Sequence, residues 1–222
     1  MSGDVPETMG LLARSWQRCT HALVPHTIES RMFGELLARY SEPHRKYHTA
    51  QHLCECLMHF EAARHLAEQP DDIEMALWFH DAIYDTQRHD NEEKSAGWAR
   101  DALLAHGASA ATAQRVHDLV MATRHTALPV SADEQLLVDI DLSILGAGPD
   151  RFAEYERQIR DEYAFVPAAL FRQKRSEILQ GFLDRPVIYS TAYFRETLEA
   201  RARENLCKAI AAAASATSPL TQ

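Results

Sequence analysis

The sequence predicts an all-α protein, a bundle of helices in one domain, and three observations carry that reading. Apolar residues recur at helical spacing along nearly the whole chain, as in Met32, Phe33, Leu36, Leu37 and Tyr40, or Phe152, Tyr155, Ile159 and Tyr163. Helix-start and helix-stop residues punctuate that pattern. No segment shows the β-branched alternation of a strand.

Taken in order, the pattern predicts helices near residues 8–21, 27–40, 49–67, 72–84, 91–106, 110–124, 133–144, 150–164, 168–183 and 190–213. The second is closed by the break at Glu42-Pro43. Asp90 followed by Glu93 is a relative of the capping box and opens the helix that holds Ala96, Ala99 and Leu103. Gly146-Ala147-Gly148-Pro149 is a helix stop followed by a helix start, since it lacks the third glycine and the preceding strand of a phosphate loop. Pro149 and Pro167 suit first-turn positions, and Asp184-Arg185-Pro186 separates the last two long helices. Neither proline break has the look of a linker, so residues 1–222 read as one domain. Its metal-site core spans about 43–145, its C-terminal helices 150–213, and a fraying tail 214–222.

With 222 residues and 46% hydrophobic content the chain is large enough for a proper core. It has no run of the ~18 apolar residues that a membrane span needs. The segment Met1–Glu7 has neither the basic start nor the apolar stretch of a signal peptide, which gives a cytoplasmic expectation. A formal net charge of -9 argues against a general grip on nucleic acid. A metal and a few local cations can still reverse the field inside one pocket, so small anionic substrates remain open. Cys19, Cys54, Cys56 and Cys207 show no Cys-x-x-Cys spacing and read as reduced, buried small hydrophobes.

The chemistry concentrates in a few residues. His80 and Asp81 are adjacent in an apolar segment beside Leu77, Trp78 and Phe79, where burying both is costly without a compensating cation. Upstream stand His48 and His52, four residues apart and on one face if helical; downstream, Asp139 and Asp141 lie in an apolar setting. His, His-Asp, Asp is the order of a metal site assembled from separate helices.

Those residues resemble the H…HD…D signature of the HD superfamily of metal-dependent phosphohydrolases. The stretches Tyr47–His52, Trp78–Asp85, Asp90–Glu93, Asp139–Gly146 and Glu199–Leu206 are similar to a bacterial family of HD-superfamily phosphohydrolases, over about Pro43 to Leu206. The resemblance implies a helical bundle of the HD-domain type in which His52, His80, Asp81 and Asp141 converge on a divalent ion. Its donors suit zinc, iron, manganese, magnesium, nickel or cobalt without choosing among them. It also places the last ligand at Asp141 and not Asp139. The implied activity is hydrolysis of a phosphoester or phosphoanhydride bond in a small molecule, a nucleotide foremost.

Further roles follow from the same likeness. His48-Thr49-Ala50-Gln51-His52 is similar to the His-Asn-x-x-His motif of cyclic-nucleotide phosphodiesterases, with Thr49 in place of asparagine, which makes His48 a candidate proton donor. Tyr84-Asp85 resembles the Glu-Asp pair of guanosine-tetraphosphate hydrolases, with tyrosine for glutamate. Asp85, four residues after Asp81, would then hold or deprotonate a water. His125, Arg45 and Lys94 are candidates for substrate phosphate, and His125 equally for a second metal or a helix end. Two rival readings stay open: a di-iron HD-type oxygenase, and a metal-containing nucleotide sensor without turnover.

Overall fold

Ten α-helices of ten residues or more run through the described residues, with no strand among them. The structure is a computed structural model that describes residues 5–24 and 30–215. The predicted start of the second helix at residue 27 and most of the predicted tail lie outside those residues. Helix packing divides the chain into two compact units, Met1–Asp141 and Leu142–Gln222.

The first unit contains α1 (Val5–Leu23), α2 (Ser30–Arg39), α3 (Ala50–Ala63), α4 (Pro70–Phe79), α5 (Asn91–Ala105), α6 (Ala110–Ala122) and α7 (Ala132–Asp141). At its centre lies α4, packed against α1, α3, α5, α6 and α7. Every residue of α4 from Asp72 to Phe79 is buried, as expected of a helix surrounded by others. Polar groups around it are therefore matched. Glu74, with no side-chain exposure, pairs with Arg18 of α1, and Asp72 receives Arg115 of α6 at 2.5 Å. Trp78 Nε1 donates to Ser15 Oγ at 3.0 Å, while Trp16 meets the Trp78 ring edge-on with centroids 5.2 Å apart. The start of α4 is fixed by Pro70 at its first turn and by Asp133, whose oxygens accept from Glu68 N at 2.8 Å and Gln69 N at 2.9 Å.

Two helix ends differ from the sequence expectation, and both bear on the site. The helix predicted over 72–84 stops at Phe79, with His80 as its C-cap. Competing hydrogen bonds take the chain out of the helix: His80 Nδ1 meets Leu77 O at 2.8 Å, and Arg45 donates to the carbonyls of Asp81 at 2.6 Å and Ala82 at 3.1 Å. Ser95 Oγ accepts from Ile83 N at 3.0 Å and holds the next turn. Likewise α3 begins at Ala50, with Thr49 as N-cap accepting from Gln51 N, so His48 precedes the helix. At α5 the N-cap Asp90 makes no side-chain cap bond, because Arg88 takes both its oxygens at 2.7 Å.

The second unit holds a 3-10 turn (Leu142–Gly146), α8 (Pro149–Glu162), α9 (Ala168–Leu183) and α10 (Ala200–Ser215). A short helical turn (Ala192–Phe194) and a π-helical turn (Arg195–Glu199) lead into α10, where the sequence predicted one continuous helix. Gly146 is required by close approach: a Cβ there would stand 2.6 Å from Leu198 Cβ. Among the described residues no helix is long and apolar enough to cross a membrane.

Candidate metal centre

Three segments of the first unit bring the site together. The first two turns of α3 carry His52 and Cys56, the C-cap of α4 is His80, followed by Asp81, and the last residue of α7 is Asp141. His52 Nε2 lies 3.1 Å from His80 Nε2 and 3.2 Å from Asp141 Oδ1. Asp81 Oδ2 is 3.0 Å from His80 Nε2 and 3.5 Å from His52 Nε2. All four residues named for the site by sequence are therefore neighbours.

Partners outside the cluster aim the two imidazoles. Leu77 O can only accept, so His80 carries a proton on Nδ1 and presents Nε2 to the cluster. His52 Nδ1 stands 2.9 Å from Tyr47 Oη, and with Nδ1–H donating there its Nε2 lone pair also faces inward. Both rings are almost wholly buried. Opposite them, Asp81 Oδ2 is a buried oxygen ion-paired with His80 Nε2 at 3.0 Å, with no further donor on it. Buried polar atoms are nearly always satisfied. A carboxylate oxygen with no further donor among inward-facing nitrogens is what a cation would complete.

The electrostatics point the same way. Burial pushes the His80 pKa down, but the Asp81 and Asp141 charges outweigh it and carry it up to about 9. Burial pushes Asp81 up, and the charges of His80, His48 and His52 hold it well below the usual carboxylate range. Asp141 is likewise held far down against burial, by His125 and His52 and by the charge on His80. The carboxylates thus stay ionised and His80 is drawn toward its charged form, the mark of a negative potential that would also attract a divalent ion.

No protein family, curated protein or solved structure compared with the chain matches it. A buried group of His52, Cys56, His80 and Asp141, with ligand atoms all within 4.8 Å of one another, could hold a metal ion. Cys56 is the member that the sequence reading took for a space-filler. Its signal was its spacing, one helical turn after His52.

The other predicted residues separate into three groups. His125 joins the site: its backbone has φ 54, in the left-handed region, and its Nε2 reaches Asp141 Oδ2 at 3.1 Å. His48, half-buried, lies with its ring 6.0 Å from that of His52 and stacks on Tyr84 at 4.1 Å, so the two histidines are close without sharing a helix. Asp85 does not share a helical face with Asp81, because α4 has ended. It is exposed and its Oδ1 accepts from Gln87 N at 2.9 Å in a local turn. Arg45 is buried and spends its guanidinium on Glu42 and on the carbonyls of His48, Asp81 and Ala82, which corrects its assignment to substrate phosphate. Lys94 is exposed and pairs with Asp90 at 3.2 Å. Asp139 is fully buried and, like Asp81, is not among the four residues whose ligand atoms lie within 4.8 Å of one another.

Proposed function

We propose that the protein is a metal-dependent phosphohydrolase acting on a small phosphorylated molecule, a nucleotide foremost. The observation that carries this is the buried Asp81 Oδ2 beside the inward-facing Nε2 atoms of His52 and His80, closed on a third side by Asp141. The order His52, His80-Asp81, Asp141 and its resemblance to the HD phosphohydrolases support the reaction class. Those four residues would hold the ion, and Leu77 O and Tyr47 would keep the rings turned toward it. When bound, a divalent ion supplies Lewis acidity toward a phosphoryl oxygen and toward water.

His48 is the residue of this chain suited to move a proton. It is half-buried beside His52 and held by the Tyr84 ring, where it can protonate a departing oxygen. Asp85 keeps no such argument. Arg45 instead braces the His80-Asp81 turn from beneath, a positioning role. The test is a panel of nucleotides and phosphoesters offered to protein reconstituted with several divalent metals. Hydrolysis that disappears on chelation and in His80→Ala is expected; a metal-loaded protein inert toward the whole panel overturns the reading.

One observation favours a second reading. Asp141 turns Oδ1 to His52 and Oδ2 to His125 at 3.1 Å, an arrangement suited to a carboxylate shared by two ions, as a di-iron oxygenase requires. Two irons per chain with substrate-dependent oxygen consumption would establish it.

A further inference from the structure

Helix α9 turns one face to its own unit and the other outward. It packs in that unit chiefly on α10, and Leu179 is its one buried residue. Of the large apolar side chains left exposed among the described residues, four fall in or beside it: Phe165 at 56%, Leu170 at 46%, Ile178 at 53% and Val187 at 43%. Such clustering marks an interaction surface, where single exposed residues would not. Leu170, Lys174, Glu177 and Gly181 share one stripe, because steps of four, three and four residues return to the same side of a helix. Ile178 borders that stripe. Gly181 is a dimple in it, since nothing lies within 4 Å of where its Cβ would stand. Lys174 Nζ is 2.8 Å from Glu177 Oε2, with both side chains at least half exposed.

We propose that this stripe is a self-association surface, on which α9 of a second copy of the chain lies antiparallel across a two-fold axis level with the Arg175–Ser176 peptide bond. In a two-fold interface residue i meets residue j and j meets i. That register sets Lys174 opposite Glu177 of the partner subunit, twice over, and Leu170 over the Gly181 dimple, also twice. Neighbouring registers fail on charge. An axis level with Lys174 places that lysine against its own copy, one level with Glu177 does the same for the glutamate, and a parallel pairing does both. The antiparallel order also brings the Phe165 end of one helix to the Val187 end of the other, which lengthens the contact. A single helix pair is still small beside the ~1,200–2,000 Å² of a stable interface, so a reversible dimer of micromolar affinity is expected.

The experiment is sedimentation equilibrium of the full chain from nanomolar to high micromolar concentration, with reductant present because Cys207 is exposed. The wild type should pass from monomer to dimer. Lys174→Glu and Glu177→Lys each set like charges across the axis and should weaken self-association by about tenfold or more, as should Leu170→Ala. Mixing the two charge variants should bring the dimer back as a heterodimer, since an acidic stripe then faces a basic one. Each variant keeps its like charges within its own helix, so recovery on mixing reports contact between copies and not repair of the fold. A wild type that stays monomeric at every concentration overturns the proposal. A dimer that the single reversals leave intact, or that mixing does not restore, places the contact elsewhere and overturns this surface and register.

Discussion

The turn after α4 and the turn before α8 both bury polar groups, and they differ in whether the chain supplies every partner. At the second, Asn205 donates to Leu145 O at 2.9 Å and Ala147 O at 3.0 Å, and Tyr189 Oη donates to Leu142 O at 3.1 Å. Nearby, Glu199 accepts from Ile188 N and Tyr189 N and is met by Arg203 at 2.8 Å. These groups close on one another, which is how polar residues serve a fold. At the first turn, Asp81 Oδ2 has no donor beyond its His80 ion pair and faces nitrogens that their other bonds have turned toward it. Burial alone therefore does not mark a functional site. The mark is a cluster of ligand-type nitrogens and carboxylate oxygens drawn from three separate segments onto one point.

That contrast can be broken by substitution. The largest effect is expected for His80→Ala, which should abolish most metal uptake and, by leaving buried carboxylates without a counter-charge, cost roughly 3–5 kcal/mol of stability. Metal content by elemental analysis, with thermal unfolding beside it, checks both; wild-type occupancy would remove His80 from the centre. Next comes His48→Ala, expected to retain metal and slow a nucleoside monophosphate by about 10²-fold or more while barely affecting an activated nitrophenyl ester. Equal losses on the two substrates would make His48 a positioning residue.

On the closed side of the comparison, Asn205→Ala leaves two buried carbonyls without their donor and should cost roughly 1–3 kcal/mol, with metal content unchanged. A change in metal affinity there would show that the two turns are not independent. The smallest effect is expected for Thr49→Ala, which removes the N-cap of α3 for about 1 kcal/mol in denaturant unfolding and leaves metal stoichiometry intact.

Much of the fold was legible because apolar spacing and caps report helices directly: leaving aside the second helix, whose predicted start is outside the described residues, eight of the other nine long helices start within a few residues of where the pattern puts them. The end of α4 was not. Ala82 and Ile83 continue the apolar rhythm past His80, and no glycine or proline interrupts it; the helix stops because Arg45, distant in sequence, takes the carbonyls of Asp81 and Ala82. The same long-range bonds hide Arg45 from sequence reasoning, which sees a cation and expects an anion. His52, His80, Asp81 and Asp141 were legible as ligand types in costly surroundings. Cys56 was passed over because cysteine is so commonly a small buried hydrophobe, and only its spacing from His52 distinguishes it. His125 depended on a left-handed turn that no local residue pattern announces.

Calorimetric titration of chelator-stripped protein with zinc tests directly, without needing a substrate, whether His52, His80, Asp81 and Asp141 bind a divalent ion. Saturable binding with proton release is expected in the wild type, and its loss in a still-helical His80→Ala variant. No binding to the wild type, or equal binding to the two proteins, would contradict that assignment.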